Sequence, residues 1–389
     1  MGFNILVLNI GSTSFKFKYY DIETENIVAE GKITNIRLDC KYAFKIKEKL
    51  FEGAINSSDG YKSCLQKILD FINDYCGGFD NIKAIGFKTV MAGTINYPCV
   101  LDNNVLNEMR KYNFIAPAHN IPYIEAIETM QTLTPNIPLI GSFETGFHKT
   151  IPEYAYIYSI DKNLADEFSI RKYGFHGAAH SFVAYKYNQI EPSAKKIISI
   201  HLGGSSSLCA IKDGCSIDTS MGFSPQSGLP MNDRNGDIDV FAILYLMEQK
   251  GMSPTDMREF LSSKCGLLGM SGISSDMQKI IESNKADSVI DAYAYSVAKY
   301  IGSYIPVLGG LDLISFSGGI GENSFLIKQK ICKYFDYMGI KLSSSKQDSK
   351  IKSGVLKISS DDSSVKVYTT IVDEELMVAK NTYKVLKGE

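Results

Sequence analysis

The sequence has few of the features that mark metal-rich or nucleic-acid-binding proteins. Its 8 cysteines form no C-x-x-C pair, so neither a zinc ribbon nor a disulfide framework is favoured. The 41 basic residues are balanced by 43 acidic ones, and the formal charge of -2 gives no basic excess that would suggest nucleic acid. Any anionic ligand would therefore need a local binding site.

Long apolar runs are also missing. The longest such tract, "YIGSYIPVLGGLDLISF", is interrupted by Gly, Pro and Asp and does not predict a membrane span. The first residues, "MGFNILVLNIGSTS", lack the basic start and apolar run of a signal peptide and predict a strand instead. We therefore expect a cytoplasmic protein with reduced thiols and with no membrane or nucleic-acid partner.

What is present is the composition of a globular α/β protein. The 389 residues are 44% hydrophobic and 22% charged, and this length suits two domains. Amphipathic stretches such as "GYKSCLQKILDFINDYC", "DVFAILYLMEQKG" and "DAYAYSVAKYIGSYI" predict helices, and short runs such as "KAIGF" and "IPLIGSF" predict strands. Their alternation indicates α/β architecture, with a domain boundary near residue 147.

Three turns rich in small residues each follow a predicted strand. The turns at Gly11 and Gly203 lie between two β-rich runs and indicate a distant internal repeat, whereas the turn at Gly318 leads into a helix predicted to begin near Glu322 or Asn323. One such turn is ordinary in α/β proteins, but three favour phosphate binding, because small residues let backbone N–H groups approach phosphate oxygens. The motif G-x-x-x-x-G-K-[ST] is absent from the sequence, so none is a Walker loop.

The stretch "KYGFHGAAHSF" places His176 and His180 on one face of a predicted helix. A zinc-protease motif would need Glu directly after the first histidine, and Gly177 occupies that position. Metal binding is therefore disfavoured, and structural packing or a substrate contact stays open for each histidine.

Nine motifs together resemble the acetate kinase family. They are, in order, "NIGSTSFKFK", "APAHNIP", "FETGFH", "RKYGFHGAAH", "HLGGSSSLCAI", "DTSMGFSPQSGLPMNDRNGDID", "GLLGMSGISSDM", "GGIGENS" and "DEELMVAKNT". The resemblance implies the two-domain actin-like ATPase (ribonuclease H-like) fold with duplicated mixed sheets. Residues 1–147 would form one domain, on which a helix of about 376–389 packs, and residues 148–375 the nucleotide-binding domain.

The same resemblance implies transfer of a phosphoryl group from ATP to acetate or another short-chain carboxylate, giving ADP and an acyl phosphate. It implies Mg²⁺ or Mn²⁺, and a homodimer. A carboxylate is ionised at pH 7 and needs no general base. Catalysis instead needs in-line positioning and neutralisation of phosphoryl charge.

Residue roles follow from the resemblance position by position. The implied catalytic residues are Glu144, His176 and Arg234, and the implied metal residues are Asn9 and Glu374, with Glu375 one register step away. His180 is assigned to packing. The implied carboxylate-binding residues are Lys88, Val90, Ala118 and Pro225. The implied nucleotide-binding residues are Ser12, Ser14, Lys16, His201, Leu202, Gly203, Gly204, Ser205, Asp276, Met277, Gln278, Gly319, Ile320, Gly321, Glu322 and Asn323.

Several of these positions depart from the family pattern. Lys88 replaces the arginine of "HRVVHGG" and cannot offer its two-pronged contact to a carboxylate, and Glu144 replaces the aspartate of "FDTAFH". Gly204 and Gln278 replace an asparagine and an arginine near the nucleotide, and Ala118 replaces a leucine near the acyl pocket. Three alternatives therefore stay open: a kinase that prefers propionate or butyrate, a low-turnover paralogue that binds nucleotide or acyl phosphate, and a kinase with another phosphoryl donor such as GTP or pyrophosphate.

Overall fold

The computed structural model describes residues 2–11, 13–36, 39–56, 60–115, 117–347, 349, 351 and 353–389, without the side chains of residues 117–119. Contacts divide it into two compact units. Unit 1 comprises residues 1–147 and 373–389, and unit 2 comprises residues 148–372.

The described part of unit 1 contains a mixed sheet of eight strands in the order β5-β4-β3-β2-β1-β6-β8-β7. These strands are β1 (Asn4–Ile10), β2 (Ser14–Asp21), β3 (Asn26–Thr34), β4 (Lys41–Ile46), β5 (Lys49–Ala54), β6 (Ile82–Thr89), β7 (Cys99–Val100) and β8 (Leu139–Phe143). The pairs β1–β6 and β6–β8 are parallel, and the other pairs are antiparallel. Ile5, Leu6, Val7 and Leu8 are all buried, and because alternate residues face opposite sides, both faces of the sheet are covered at β1.

Three helices of unit 1 come from its N-terminal part: α1 (Tyr61–Tyr75), α2 (Asn103–Lys111) and α3 (Pro117–Leu133). The apolar positions of α1 recur at helical spacing, and its buried side chains join the core with those of β1 and β2. The side chain of Asp102 caps α2 by accepting a hydrogen bond from the Val105 N–H at 2.9 Å.

The described part of unit 2 contains a mixed sheet of six strands in the order β11-β10-β9-β12-β14-β13. The strands are β9 (Lys196–Leu202), β10 (Ser206–Lys212), β11 (Cys215–Thr219), β12 (Leu313–Ser317), β13 (Val355–Lys357) and β14 (Lys366–Thr370). Strand β12 pairs in parallel with both β9 and β14.

The helices of unit 2 are α4 (Glu153–Tyr156), α5 (Lys162–Glu167), α6 (Gly177–Ile190), α7 (Val240–Lys250), α8 (Pro254–Ser263), α9 (Gly266–Ser271), α10 (Met277–Ser283), α11 (Asp287–Leu308), α12 (Gly318–Asn323) and α13 (Phe325–Lys333). Short 3-10 helices cover Phe79–Asn81, Gly146–Thr150, Asp336–Met338 and Ser344–Lys346. Among the described residues, none of the helices combines the length and the apolar character that crossing a membrane would require.

The last helix, α14 (Glu374–Lys387), packs on β1, β6 and β8 of unit 1. It begins two residues before the expected position 376, because Asp373 caps it by accepting from the Leu376 N–H at 3.1 Å. Gly86 on β6 permits the close approach, since a Cβ atom there would lie 2.4 Å from Oγ1 of Thr382.

The two sheets repeat one strand order, which confirms the predicted repeat and the duplicated mixed sheets. The order β3-β2-β1-β6-β8 in unit 1 corresponds to β11-β10-β9-β12-β14 in unit 2. The turns at Gly11 and Gly203 join the first two strands of each repeat. The helix after the third turn begins at Gly318 rather than near Glu322, because Gly318 adopts a φ of 75° and turns the chain directly out of β12.

Candidate active site

The buried end of β6 in unit 1 carries a lysine between two carboxylates. Lys88 Nζ donates a hydrogen bond to Glu374 Oε2 and lies 3.7 Å from Glu144 Oε1. Burial alone would lower the pKa of Lys88, but the carboxylates of Glu144 and Glu374 raise it well above its ordinary value. The ammonium is therefore fully charged at neutral pH, and it joins the predicted catalytic Glu144 to the predicted metal residue Glu374.

Asn9, the other predicted metal residue, contacts the neighbouring acid. Its Nδ2 donates to Glu375 Oε1 at 2.8 Å, and its Oδ1 accepts from the Tyr123 hydroxyl at 3.3 Å. Glu375 Oε2 also lies 3.5 Å from Lys18 Nζ. Thus consecutive acids in the first turn of α14 have different partners: Glu374 binds Lys88, and Glu375 binds Asn9.

Lys18 and Asp373 extend this polar cluster. Lys18 Nζ donates to Asp373 Oδ1 at 2.8 Å, and the Tyr20 hydroxyl donates to the same oxygen at 2.9 Å. Although burial opposes it, the carboxylates of Glu375 and Asp373 raise the pKa of Lys18. Lys18 and Asp373 were missed in the sequence, although Lys18 follows Ser14 and Lys16 at strand spacing.

The outward-facing side of β2 is basic. Ser14 is half-buried and Lys16 is exposed, whereas Phe15 and Phe17 between them face the core, as the strand alternation predicts. Lys16 lies opposite Lys32 of β3. An open pocket of about 390 Å³ is lined by Lys16, Phe17, Lys18, Glu30, Gly31, Lys32, Ala43, Lys45 and Glu375. A groove with this lysine content suits an anionic ligand.

Three other residues of unit 1 were predicted to bind the substrate or the nucleotide, and none of them has a described contact in the polar cluster. Val90 is half-buried and packs against the unit 1 core just after β6. Ser12 and the side chain of Ala118 lie outside the described residues. The roles of all three stay predictions.

In unit 2, His176 is the N-cap residue of α6 and adopts a left-handed backbone, with φ 57°. This conformation is uncommon for a residue other than glycine and is often found at functional sites. Its Nδ1 is 2.9 Å from Ser207 Oγ, and its ring centroid is 4.9 Å from that of His201. His201 lies directly opposite Ser207 across β9 and β10, so strand register brings these groups together.

Arg234 reaches the turn that follows β9. Its Nη1 donates to Ser205 Oγ at 3.3 Å and to the Pro225 carbonyl at 3.5 Å. Burial lowers the pKa of Arg234, and the nearby Asp233 carboxylate opposes this shift. The guanidinium stays charged at neutral pH. The structure thus brings together residues predicted separately as catalytic (Arg234), nucleotide-binding (Ser205) and substrate-binding (Pro225).

The glycines in the turns of unit 2 differ in how much room they leave for a side chain. Leu202 is buried, and the N–H of Gly203 donates to the Ser205 carbonyl at 3.1 Å. A Cβ atom on Gly318 would lie 2.6 Å from the Leu202 carbonyl oxygen, so glycine is required there. At Gly204 a Cβ atom would only reach ordinary contact distance, 3.6 Å from Asn232, so close contact does not require glycine there.

The remaining predicted nucleotide residues lie on two short helices. In α12, the N–H of Gly318 donates to Glu322 Oε1 at 3.1 Å, and Asn323 Nδ2 donates to the Gly319 carbonyl at 2.8 Å. Gly321 is buried, Ile320 is half-buried and Gly319 is exposed. In α10, Asp276 caps the helix, Met277 is buried, and Gln278 is exposed and donates to Glu282 at 2.8 Å.

His180 has a more polar environment than packing alone would give it. It is fully buried, yet its Nδ1 lies 2.8 Å from Ser199 Oγ and its Nε2 lies 2.8 Å from Ser207 Oγ. Ser199 and Ser207 were missed in the sequence. The available signal was the alternation of polar residues along otherwise apolar strands, at Ser199 and His201 of β9.

Comparison with known proteins identifies the family. A model of the Acetokinase family matches residues 4–380. The chain is 37% identical to an acetate kinase from Bacteroides thetaiotaomicron, over 98% of this chain and 99% of that protein. The structure matches a propionate kinase from Francisella tularensis with a TM-score of 0.88 and 32% identity, over 98% of this chain and 99% of that one. It matches an acetate kinase from Porphyromonas gingivalis with a TM-score of 0.87 and 29% identity, over 98% and 99% of the two chains. The chain is therefore a member of the acetokinase family, and it has that family's two-domain α/β fold.

Proposed function

We propose that this protein is a carboxylate kinase, which transfers the γ-phosphoryl group of ATP to acetate or another short-chain carboxylate and forms an acyl phosphate. The observation that carries the proposal, beyond membership of the family, is the half-buried Lys88 ammonium beside Glu144 and Glu374. A carboxylate substrate needs a cation near the reacting oxygen, and the reaction needs no general base because the acid is already ionised.

In this proposal Lys88 binds the substrate carboxylate. Its ammonium is a compact charge with three donors, so it can keep a contact with a protein carboxylate while it donates to the substrate. The side chain of Lys88 is shorter than the family's arginine, and that of Glu144 is longer by one methylene than the family's aspartate. We infer that the two replacements compensate, since together they keep a cation and a carboxylate 3.7 Å apart.

His176 and Arg234 act on the phosphoryl group. Both can donate hydrogen bonds to its equatorial oxygens, where negative charge must be neutralised during an in-line transfer. Ser205, which accepts from Arg234 at 3.3 Å, limits the freedom of the guanidinium before a substrate arrives. Lys16, with Ser12 and Ser14, and the turns at Gly203 and Gly318 would hold the phosphates of the nucleotide.

Family membership implies ATP as co-substrate and a divalent metal, and we propose Mg²⁺ for the latter. The side chains near Asn9 and the first turn of α14 offer amide and carboxylate oxygens, which are the donors that Mg²⁺ prefers. Asn9 and Glu374 would hold the ion, with Glu375 as the alternative. A bound Mg²⁺ would neutralise charge on the phosphate oxygens of the nucleotide.

A hydroxamate assay with ATP, Mg²⁺ and acids from formate to valerate tests this function. We expect acyl hydroxamate from acetate, propionate or butyrate, and the small Ala118 favours the longer acids by about 0.8 kcal/mol for each additional buried methylene. Failure with every acid, by a protein shown to be folded, would refute the kinase. GTP and pyrophosphate in the same assay test the donor, since Gly204 and Gln278 replace family residues near the nucleotide.

A second candidate function is a low-turnover paralogue that binds nucleotide or acyl phosphate. It is favoured by the pairing of Lys88 with Glu374, because a substrate carboxylate must compete with that acid for the ammonium. Calorimetry separates the two functions: ATP binding in the micromolar range with no acyl phosphate formed would support the paralogue.

We also propose that the protein is a cytoplasmic homodimer without a nucleic-acid or membrane partner. The near-neutral charge of -2 gives no general attraction for polyanions.

Helix α7 of unit 2 has no buried residue, although most of its sequence is apolar. Its neighbourhood exposes Ile238, Val240, Phe241, Leu244 and Tyr245. A patch of this kind marks an interaction surface, and a second copy of the chain is its proposed occupant.

A further inference from the structure

His180 lies one helical turn after His176 on α6 and uses both of its ring nitrogens. Nδ1 is 2.8 Å from Ser199 Oγ on β9, and Nε2 is 2.8 Å from Ser207 Oγ on β10. All three groups are fully buried. The two hydroxyls therefore satisfy both ring nitrogens of a histidine that is shielded from water.

Ser207 has a second contact, and it is with His176. The same Oγ that meets His180 lies 2.9 Å from Nδ1 of His176. The four side chains therefore form one continuous hydrogen-bonded chain in the order Ser199, His180, Ser207, His176. It runs from the buried interior of the sheet to the half-buried histidine that the proposed function assigns to the phosphoryl group.

Donor and acceptor rules leave two arrangements at His176 when its ring is neutral. Burial, with smaller contributions from His148, His176 and His201, lowers the pKa of His180 well below its ordinary value, so its ring is neutral. A neutral ring donates from one nitrogen and accepts at the other, and a hydroxyl donates only once. Neutral His176 therefore carries its proton on Nε2 if Ser207 donates to it, or on Nδ1 if Ser207 accepts from it.

The two arrangements differ in what His176 presents to a ligand. When His180 Nε2 donates to Ser207 and Ser207 donates to His176 Nδ1, the proton of a neutral His176 is on Nε2, which can then donate. In the opposite arrangement neutral His176 presents a lone pair at Nε2, which repels a phosphoryl oxygen. Only the first arrangement suits the proposed reaction.

We propose that His180 and Ser207 are positioning residues that hold His176 in the tautomer protonated at Nε2, ready to donate to the phosphoryl group during transfer. The proposal rests on the proposed function and extends it to two residues in the interior. The left-handed backbone of His176 at the start of α6 fixes the ring beside Ser207.

Ser207→Ala tests this proposal, and Ser216→Ala is its matched control. Both serines are fully buried, and each hydroxyl meets a buried histidine: Ser216 Oγ lies 2.8 Å from Nδ1 of His148, outside the chain that leads to His176. We expect Ser207→Ala to lower kcat at least tenfold while KM for ATP and for the acid changes less than threefold, because the lost interaction belongs to the transition state. Ser216→Ala should lose a similar amount of stability and keep kcat within threefold.

The tautomer of His176 can be measured by nitrogen NMR, without an activity assay. With ¹⁵N-labelled histidine, the 5 ring systems give resolvable nitrogen signals, and His176→Gln identifies those of His176. Wild type and Ser216→Ala should show His176 protonated at Nε2, and Ser207→Ala should show a mixture of tautomers. Ser207→Cys, which keeps a weak donor of similar size, should give intermediate kcat and is the second variant should the alanine variant not fold.

The outcomes separate the proposal from the function on which it rests. Equal loss of kcat in Ser207→Ala and Ser216→Ala, or a His176 tautomer unaffected by the loss of the Ser207 hydroxyl, would overturn the positioning role in an active kinase. If the wild type forms no acyl phosphate, the proposed function fails, and a wild-type His176 protonated at Nδ1 would overturn the positioning proposal independently.

Discussion

Lys88 is the residue on which the proposed substrate specificity depends. Replacing it by Met keeps the length of the side chain and removes the charge. We expect KM for the carboxylate to rise about 10- to 100-fold, since a hydrogen bond to a charged group contributes about 1.5–3 kcal/mol. KM for ATP should change less than threefold. Steady-state kinetics with each substrate varied in turn measures both effects.

Lys83→Met is the matched control, because Lys83 lies on the same strand but is exposed and donates to the Asp80 carbonyl. It should leave both KM values unchanged. An equal rise of the two KM values in Lys88→Met would instead indicate general disruption of the buried cluster, and would argue against carboxylate binding by Lys88.

The adjacent acids Glu374 and Glu375 should differ in their effect on metal dependence. Glu374→Gln should raise the Mg²⁺ concentration that gives half-maximal activity at least tenfold, because it replaces the charged oxygen of the proposed ligand by a neutral one. Glu375→Gln keeps an oxygen that can accept from Asn9 Nδ2 and loses mainly the contact with Lys18, so its Mg²⁺ requirement should change little. Titration of activity with Mg²⁺ at saturating ATP measures the requirement of each variant. A larger increase in Glu375→Gln than in Glu374→Gln would assign the metal role to Glu375 instead.

At the scale of elements, His148, the first residue of unit 2, makes the stability of the fold pH-dependent. Burial lowers the pKa of His148, in the 3-10 helix Gly146–Thr150, from 6.5 to about 4. Between these values the unfolded chain binds a proton that the folded chain excludes, so stability is present above pH 6.5 and is lost as the pH falls towards 4. The loss from this residue is at most about 3 kcal/mol.

Thermal unfolding followed by circular dichroism at pH 7.5, 6 and 5 measures this dependence. His148→Gln can still reach Ser216 but does not titrate, so its midpoint should fall less steeply with pH than that of the wild type. The slope will not vanish, because His180 also has a lowered pKa. Identical slopes for the two proteins would contradict the role of His148.

The sequence predicted most elements but few of their side-chain contacts. Helices α1 and α11 and strands β6 and β8 lie where the apolar pattern indicated, because burial of apolar side chains leaves a local record in the sequence. Helix α7 also lies where its apolar sequence indicated, although none of its residues is buried. The predicted start of α12, near Glu322, was wrong. The helix begins at Gly318, which has a positive φ and packs closely against Leu202, and this tertiary contact leaves no local signal in the sequence. The pairing of Lys88 with Glu374, 286 positions apart, could not be predicted, because the packing of α14 on β6 decides it.

For the whole molecule, the exposed surface of α7 predicts self-association. Phe241 is 75% exposed, and Phe241→Asp would place a charge in the proposed dimer surface. We expect a dimeric wild type and a largely monomeric variant at micromolar concentration, measured by light scattering after size exclusion. Tyr337→Asp, at an 82% exposed position outside that surface, should stay dimeric. A monomeric wild type would refute the homodimer.

The overall architecture was more accessible from the sequence than the chemistry. The repeat of strand, small-residue turn and strand at Gly11 and Gly203 is a local pattern, and it appears in both sheets as the same strand order. The choice of acid is not a local property of this kind, since the residues proposed to set it, Lys88, Ala118 and Glu144, are far apart in the sequence. The substitutions at these positions therefore predict a change in specificity without naming the preferred acid.

The central claim is that this chain moves a phosphoryl group to a carboxylate. Phosphorus NMR of one sample containing the protein, ATP, Mg²⁺ and acetate, propionate or butyrate follows every phosphorus species at once. The proposed function predicts loss of the γ-phosphate signal and the appearance of an equal amount of acyl phosphate, only when an acid is present. Unchanged ATP with every acid, or release of inorganic phosphate alone, would contradict it.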